Sequence, residues 1–301
     1  MSSDNSTSQS VRDRLLNLRD EFEGKVSNQL LLTRYGCERL LYRLSISEYA
    51  SDFVLKGATM FWNWTGEIHR PTRDIDFLGF GAPDKDRLET IFHRVSNIEV
   101  DDGIEFDSET LTAKDIRHQS EYHGIRLKIV GVIAGARAHV QIDVGFGDSG
   151  RFDDSYEVRT LLDTDSPIVR AYTRPTLIAE KFHTIVLRGM ANSRVKDYYD
   201  IYFLASEFAF DGHELFHAIE QTFERRETEI PKETPRGLTR QYAQNADRKS
   251  NWQALKKGLS DSAPSLDEVV SGIRSFLEPI REAAASESEF SQKWPMGGPW
   301  Q

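Results

Sequence analysis

The sequence is poor in the features that would place it in several large classes of protein. Cys37 is the only cysteine among 301 residues, which excludes a disulfide framework within the chain and favours a reducing compartment. No apolar run is long enough to span a membrane, and residues 1–10 are polar and lack an apolar signal core. Internal repeats and low-complexity blocks are absent as well. We therefore expect a cytoplasmic protein without membrane contact.

Positive charge is also scarce. The chain has 38 Lys and Arg against 48 Asp and Glu, a net charge of −10 and a pI of about 5.4. A protein that bound nucleic acid through its overall charge would be basic, so any such binding here must use a local patch. Hydrophobic residues make up 39% of the chain, enough for a globular core.

Apolar spacing predicts helices on both sides of a strand-rich middle. The predicted helices cover residues 11–22, 27–44, 58–64, 84–95, 174–189, 193–208 and the stretch after a capping box at Ser265 and Glu268; the predicted strands cover residues 52–57 and 73–80 and a hairpin over 124–148. Residues 225–257 are polar and give no clear period. We predict four segments. Residues 1–25 form an N-terminal lead-in, loose over residues 1–10, followed by a helix. A main domain covers residues 26–210, a helical C-terminal domain covers 211–290, and a loose tail covers 291–301.

Two acids lie one residue apart within an apolar strand, in the segment PTRDIDFLGF. Because successive side chains of a strand point to opposite faces, Asp74 and Asp76 share one face, roughly 7 Å apart by the strand rise. Ile75 and Phe77 then point into the core. The pattern predicts a pair of carboxylates on the open face of a sheet.

The hairpin repeats this alternation in HVQIDVGF, where Asp143 lies on the polar face. If this strand neighbours the first, three carboxylates converge, and they repel one another unless a cation lies among them. Mg²⁺ prefers oxygen ligands and leaves positions open for water and phosphate. The alternative is that the acids form surface salt bridges with Arg70 or Arg73.

Other candidate residues give weaker signals. Gly57 and Ala58 follow a strand and precede a helix, a place where backbone N–H groups could approach a phosphate or where the chain simply turns. Lys181 and Arg188 share a helix face that could bind a triphosphate or only face solvent. In the next helix Asp197 could orient Lys181 or Arg194 instead of contacting a substrate.

Four segments in this order resemble the AbiEii-type nucleotidyltransferases, the toxin halves of bacterial AbiE and MenT toxin–antitoxin systems. They read LKGAT, TRDIDF, VQIDVGFGD and LIAEKFHTIVLRGMANSRVKDYYDIYFL, and the resemblance runs from about residue 52 to residue 204. It implies an α+β fold, with a mixed sheet flanked by helices as in DNA polymerase β-like nucleotidyltransferases and a helical C-terminal region. It assigns the main domain over 26–210 to nucleotidyl transfer.

The resemblance also implies roles for individual residues. The metal-binding residues would be Asp74, Asp76 and Asp143; the remaining catalytic residues would be Lys181 and Asp197; the nucleotide-binding residues that match family positions would be Gly57, Ala58 and Lys181. Lys56, Arg188 and Arg194 are further nucleotide-binding candidates of this sequence, outside the matched positions. Ala58 replaces the Gly or Ser usual in the family, although its backbone N–H remains. Whether Asp197 or Asp200 is the functional acid of the last motif stays open.

The implied reaction is transfer of a nucleotide from an NTP, with Mg²⁺ or alternatively Mn²⁺ as the cofactor. The tRNA 3′ end is the implied acceptor, which would block translation, and a cognate antitoxin is the implied partner. Basic residues between 236 and 257, with Tyr242 and Trp252 among them, could bind RNA by charge and stacking, or form an ordinary solvated surface.

Three other functions remain open. One is transfer to a protein hydroxyl, and another is a binding module on the same fold without catalysis. A metal-dependent hydrolase is less well supported, because the histidines considered, His93, His118, His123, His139 and His183, are scattered and form no metal-binding pattern.

Overall fold

The structure is a computed structural model that describes residues 2–21, 26–67, 72, 74–116, 124–148, 150–259 and 263–301. Arg70, Arg73, His118 and His123, which are named above, lie outside these residues, as does residue 22 at the end of the first predicted helix. The chain divides into two compact units. Unit 1 comprises residues 1–147 and 152–171, and unit 2 comprises residues 148–151 and 172–301. A domain boundary near residue 210 stays a prediction.

Unit 1 is built around a seven-stranded mixed sheet. Its elements run in the order α1 (Ser2–Glu21), α2 (Asn28–Ser45), β1 (Phe53–Lys56), α3 (Thr59–Thr65), β2 (Asp74–Gly79), α4 (Lys85–Ser96), β3 (Glu105–Ile116), β4 (Gly124–Ile133), β5 (Ala136–Phe146), β6 (Phe152–Glu157) and β7 (Ile168–Tyr172), with a 3₁₀ turn at Ala50–Asp52. The strand order is β3-β4-β5-β2-β1-β7-β6. The predicted α+β class is confirmed.

The centre of the sheet combines both strand directions. β2 pairs in parallel with β5 and antiparallel with β1, while β4 and β5 form the predicted hairpin. Their apolar positions, such as Ile75, Phe77, Ile142 and Val144, are buried. α2 packs closely on this face, since a Cβ at Gly36 would lie 2.9 Å from Val140 Cγ2. One face of the sheet is therefore core, which leaves the alternate residues of β2 and β5 on the other face.

The N-terminal segment differs from the expected loose lead-in, because α1 already begins at Ser2. The reason is tertiary contact with the turn between β4 and β5. The Ala134 N–H donates to Ser8 Oγ at 2.6 Å, and Arg12 donates to the Ala134 carbonyl at 2.9 Å. Such contacts between residues far apart in sequence leave no local pattern.

Unit 2 is mainly helical. Its elements are α5 (Arg174–Arg188), α6 (Val195–Glu207), β8 (Phe210–Asp211), α7 (Gly212–Arg225), α8 (Arg240–Gln244), α9 (Ala246–Lys256), α10 (Leu266–Ala285) and β9 (Lys293–Trp294), with 3₁₀ turns at Gly189–Ala191 and Arg236–Leu238. The predicted capping box of Ser265 and Glu268 is present at the start of α10. Within the described part of the chain, no helix is both long and apolar enough to cross a membrane.

The C-terminal tail is packed, contrary to the expectation that it is loose. β9 pairs with β8, and the buried Trp294 donates its indole N–H to the Ala205 carbonyl at 2.7 Å. Trp300 stacks on Phe276 with an interplanar angle of 2°. Two indole rings bury a large apolar area, which outweighs the glycines and prolines that suggested a loose segment.

Candidate active site

Three carboxylates converge on the polar face of the sheet in unit 1. The parallel register of β2 and β5 places Asp76 directly opposite Asp143, and Asp74 opposite Gln141. One carboxylate oxygen from each of Asp74, Asp76 and Asp143 lies within 4.8 Å of the others. These residues, named here the carboxylate triad, are each partly exposed. The convergence predicted from strand alternation is confirmed.

Arg126 binds the third acid of the triad. It lies opposite Asp143 on the neighbouring strand β4 and donates from Nε at 2.8 Å and from Nη2 at 2.6 Å, one bond to each carboxylate oxygen. Hydrogen bonding to Asp143 raises the pKa of the Arg126 guanidinium, and the charges of Asp74 and Asp76 add to this. Arg126 is thus a counter-charge for the triad.

Sequence reasoning missed Arg126, although a signal was present. In the segment GIRLKIV the buried Ile125 and Leu127 alternate with Arg126, just as the apolar residues of β5 alternate with Asp143. The same period-2 argument, applied to this strand, would have placed the arginine on the polar face. The hairpin register, which the sequence does not give directly, makes the two side chains opposite.

The turn after β1 lies against the triad. Gly57 has φ +76°, and a Cβ at this position would collide with the carboxylate of Asp76. Lys56 is opposite Asp76 in the ladder, and its Nζ lies 3.8 Å from the point that a Cβ of Gly145 would occupy. The close approach to Asp76 therefore requires a glycine even without a phosphate. Ala58 is the N-cap of α3, a helix of only seven residues.

A small cavity of about 60 Å³ in unit 1 borders Asp74 and Ala58. Arg34 lies over the Trp62 ring in its wall, with the guanidinium carbon 3.8 Å from the ring centroid. Burial lowers the pKa of Arg34 to about 10. Burial also raises the pKa of the Glu38 carboxyl to about 7, against the opposing hydrogen bond from the Leu161 N–H. The cavity has room for a few water molecules.

In unit 2 a second group of charges surrounds Lys181. Its Nζ lies 2.8 Å from Asp197 Oδ1 and 2.9 Å from Asp200 Oδ2, and Arg194 Nε donates to Asp197 Oδ2 at 2.6 Å. These four residues are named here the lysine cluster. Lys181, Asp197 and Asp200 have only 11%, 4% and 0% of their side chains exposed. The cluster balances two positive charges with two negative ones.

Asp197 forms ion pairs with both Lys181 and Arg194. This agrees with the interpretation that Asp197 orients these basic residues. Burial alone would raise the pKa of its carboxyl, but the charges of Lys181 and Arg194 and the hydrogen bond from Lys181 hold this pKa below its usual value. Asp200 contacts the same Nζ, so both acids of the motif orient the lysine.

Arg188, the last residue of α5, stands apart from the lysine cluster. Seven residues separate it from Lys181, which corresponds to about 10 Å along a helix. Within the ranges that the structure describes, Arg188 forms no ion pair.

The aromatic residues proposed for stacking on RNA are core residues, which corrects that expectation. Tyr242 is fully buried and stacks on Tyr198 at 4.7 Å, and Trp252 is 2% exposed with its N–H bonded to the Pro264 carbonyl. Helix periodicity over so polar a segment did not separate inward-facing rings from exposed ones. The basic residues Arg236, Arg240, Lys249 and Lys257 are exposed.

The polar face of this mixed sheet brings together three carboxylates that could hold a divalent cation, which is the kind of site that enzymes of phosphoryl transfer use. Residues 39–279 match the model of the family described as nucleotidyl transferase AbiEii toxin, type IV TA system. The chain belongs to this AbiEii family and is a nucleotidyltransferase. Membership of a type IV toxin–antitoxin family implies a nucleotide substrate and an antitoxin partner.

Two solved structures from Helicobacter pylori resemble the chain. One, provisionally described as a nucleotidyltransferase, has 13% identity and a TM-score of 0.48, and the match covers 88% of this chain and 100% of that one. The other, JHP933, has 13% identity and a TM-score of 0.48, and the match covers 87% of this chain and 96% of that one. No curated protein matches the chain.

Proposed function

We propose that this toxin transfers a nucleotide from an NTP to the 3′ acceptor end of tRNA and so blocks translation in the cytoplasm. The convergence of Asp74, Asp76 and Asp143 is the observation that carries this proposal. Family membership supplies the reaction class, and the acceptor follows from the resemblance described above.

The carboxylate triad fits Mg²⁺, with Mn²⁺ as the alternative ion. Its donors are hard carboxylate oxygens, and their partial exposure leaves room for water and phosphate oxygens. A bound Mg²⁺ would neutralise charge on the transferring phosphoryl group. Asp74 and Asp76 would hold the ion. Asp143 would either ligate it or accept the proton of the acceptor hydroxyl, and both roles need an oxygen that Arg126 now binds.

In the proposed reaction the acceptor hydroxyl oxygen bonds to the α-phosphorus, and the bond from that phosphorus to the pyrophosphate oxygen breaks. The hydroxyl proton passes to Asp143, or to water if Asp143 ligates the ion, and pyrophosphate takes the bonding electrons. The resemblance implies contact with the nucleotide phosphates for Lys181 and a place beside the nucleotide for Gly57 and Ala58. We add Lys56, Arg188 and Arg194 to the proposed nucleotide-binding residues because they carry positive charge near these motifs in the sequence. The ion pairs of Asp197 support a role in orienting Lys181 and Arg194.

The exposed basic residues of unit 2 support RNA as the acceptor. In this proposal the exposed side chains of Arg236, Arg240, Lys249 and Lys257 supply the positive charge that an acidic protein needs to bind RNA phosphates. Charge rather than base stacking would supply this binding, because Tyr242 is buried.

The test incubates the protein with Mg²⁺, total bacterial tRNA and each NTP in turn, labelled at the α-phosphate. Asp76→Asn is run beside it, with Asp107→Asn as the matched control because Asp107 is an exposed strand aspartate outside the triad. We expect label on tRNA with the wild type and the control. Asp76→Asn should be slower by at least about 100-fold, the scale of losing one preorganised electrostatic contact.

Label on protein after nuclease treatment would replace tRNA by a protein hydroxyl as the acceptor. Equal labelling of tRNA by Asp76→Asn would remove the triad from the mechanism. No label on any acceptor, with no nucleotide binding by calorimetry, would overturn the proposed reaction for this chain.

A further inference from the structure

Helix α7 presents two histidines side by side. The segment His-Glu-Leu-Phe-His places His213 and His217 four residues apart, so they lie on the same helix face. Both are exposed, and their Nε2 atoms are 3.0 Å apart. Leu215 and Phe216 between them are buried, which fixes the rotation of the helix and keeps the histidine face outward.

The contacts of His217 determine which of its nitrogens is available. Its Nδ1 lies 3.1 Å from Glu220 Oε2, and an ionised carboxylate only accepts hydrogen bonds. The hydrogen of a neutral His217 ring is therefore assigned to Nδ1, which leaves the lone pair of Nε2 directed toward His213. A carboxylate bonded to the second nitrogen is the arrangement that orients metal-bound histidines in proteins.

We propose that His213 and His217 bind one divalent first-row transition-metal ion, Zn²⁺ in the test below, through their Nε2 atoms. Zinc–nitrogen bonds of 2.0–2.1 Å at a tetrahedral angle place two such nitrogens about 3.3 Å apart, so the 3.0 Å gap needs to open only slightly. His213 would move its hydrogen from Nε2 to Nδ1, so neither neutral ring loses a proton overall. Water would complete the coordination.

The surroundings of the pair favour a cation and hold the helix start in place. Asp211 caps α7 by accepting from the His213 and Glu214 N–H groups, and Glu214 and Glu220 add negative charge, with Arg151 3.4 Å from Glu214. The Gly212 N–H bonds to the Gln292 carbonyl at 2.8 Å. A rigid backbone reduces the ordering that binding requires.

This site differs in chemistry from the carboxylate triad. Imidazole nitrogens suit zinc, copper and nickel, whereas carboxylate oxygens suit magnesium and manganese. The proposal stands independently of the transfer reaction, and it concerns histidines that the sequence analysis did not weigh. That expectation weighed five scattered histidines and passed over His213 and His217, although their spacing was visible in the sequence.

The experiment titrates chelator-treated protein with Zn²⁺ by calorimetry at neutral pH, in millimolar Mg²⁺ to occupy the triad. The variants are His213→Ala and His217→Ala, with His139→Ala as the matched control because His139 is exposed on β5. Asp76→Asn tests whether zinc binds the triad instead. Circular dichroism checks the fold of each variant, and all the replaced histidines are exposed.

We expect one zinc site in the wild type, in His139→Ala and in Asp76→Asn. Affinity should fall more than tenfold in each of the two α7 variants, and about tenfold in Glu220→Gln, which removes the orienting carboxylate. Co²⁺ should show a visible absorption band from nitrogen ligation that both α7 variants lose. Unchanged zinc affinity in His213→Ala and His217→Ala, loss of zinc binding in Asp76→Asn, or no zinc binding by the wild type would each overturn the proposal.

Discussion

The carboxylate triad of unit 1 and the lysine cluster of unit 2 both combine acids with bases, but their charge balance and burial differ. The triad shares a partly exposed surface with Arg126 and Lys56, so among the described residues its negative charges outnumber the positive ones. The lysine cluster has equal charges, and Asp200 in it is completely buried. An excess of negative charge that water can reach attracts an added cation, whereas a balanced buried cluster mainly fixes its own side chains.

The comparison bears on which residues perform chemistry. Asp143 has 16% of its side chain exposed and a partner, Arg126, that is 40% exposed and therefore free of tight packing. Lys181, at 11%, is held by two acids from another helix. We therefore propose that a metal ion can replace Arg126 as the partner of Asp143 in the triad. Asp197 and Asp200, by contrast, are proposed to position Lys181.

The largest expected change in the free energy of unfolding comes from a substitution in the lysine cluster, and a substitution in the triad should have almost no such effect. Lys181→Met leaves two buried carboxylates without their shared cation, and we expect it to lower the free energy of unfolding by about 3–5 kcal/mol. Asp76→Asn removes repulsion within the triad and should leave stability unchanged or slightly higher. Urea unfolding measures both variants.

The matched control for this prediction is Lys196→Met, an exposed lysine on α6. It should change the free energy of unfolding by no more than about 0.5 kcal/mol, as ordinary surface substitutions do. If Lys181→Met cost no more than this control, the cluster would not be a buried structural unit and the contrast with the triad would fail.

The sequence predicts the triad better than the lysine cluster. The reason is that the triad depends mainly on strand alternation, a pattern among residues close in sequence. The triad was predictable, because alternation in one strand sets the faces of Asp74 and Asp76, and one assumption about a neighbouring strand added Asp143. The contact of Lys181 with Asp200 was not, since it depends on how two helices pack. Asp200 lies four residues from Lys196, the spacing of an ion pair within one helix, but its carboxylate lies 2.9 Å from Lys181 Nζ on another helix.

The same reasoning explains the errors in the fold. β3 was not predicted, because it is an edge strand whose segment EFDSETLTAKDI is mostly polar. Its apolar residues that pack on the core, Phe106, Leu111 and Ala113, are only partly buried and follow no strict alternation. Trp294 and Trp300 were assigned to a loose tail because their glycine- and proline-rich neighbourhood resembles a disordered end. Their ring contacts with Phe276, which is distant in sequence, accompany the burial of Trp294 and the partial burial of Trp300.

A smaller effect is expected at the contact between Arg126 and Asp143. Because the guanidinium occupies both oxygens of Asp143, it competes with a metal ion for them. Arg126→Gln should raise the affinity for Mn²⁺, measured by calorimetry, by up to about tenfold, a modest gain because the arginine is partly screened by water.

Lys85→Gln is the control for this measurement, since Lys85 is a comparably exposed lysine paired with Asp115 elsewhere in unit 1. It should leave Mn²⁺ affinity unchanged. A fall in affinity on replacing Arg126 would mean that the arginine holds Asp143 in the binding geometry, and the triad would then resemble the lysine cluster in being fixed by its own contacts.

The smallest expected effect is on the free energy of unfolding at low pH. Because the pKa of Asp197 is lowered in the folded state, its contribution to stability is present above the ordinary value near 3.8 and is lost as the pH falls through the folded-state value. The free energy of unfolding should therefore decrease below about pH 4, and Asp197→Asn, less stable at neutral pH, should show a shallower decrease. Urea unfolding at several pH values between 3 and 6 measures these slopes, and Asp107→Asn, which replaces an exposed acid, should keep the wild-type slope. Equal slopes for Asp197→Asn and the wild type would show that the ion pairs of Asp197 add no stability to the folded protein. The lysine cluster would then differ from the triad in burial alone.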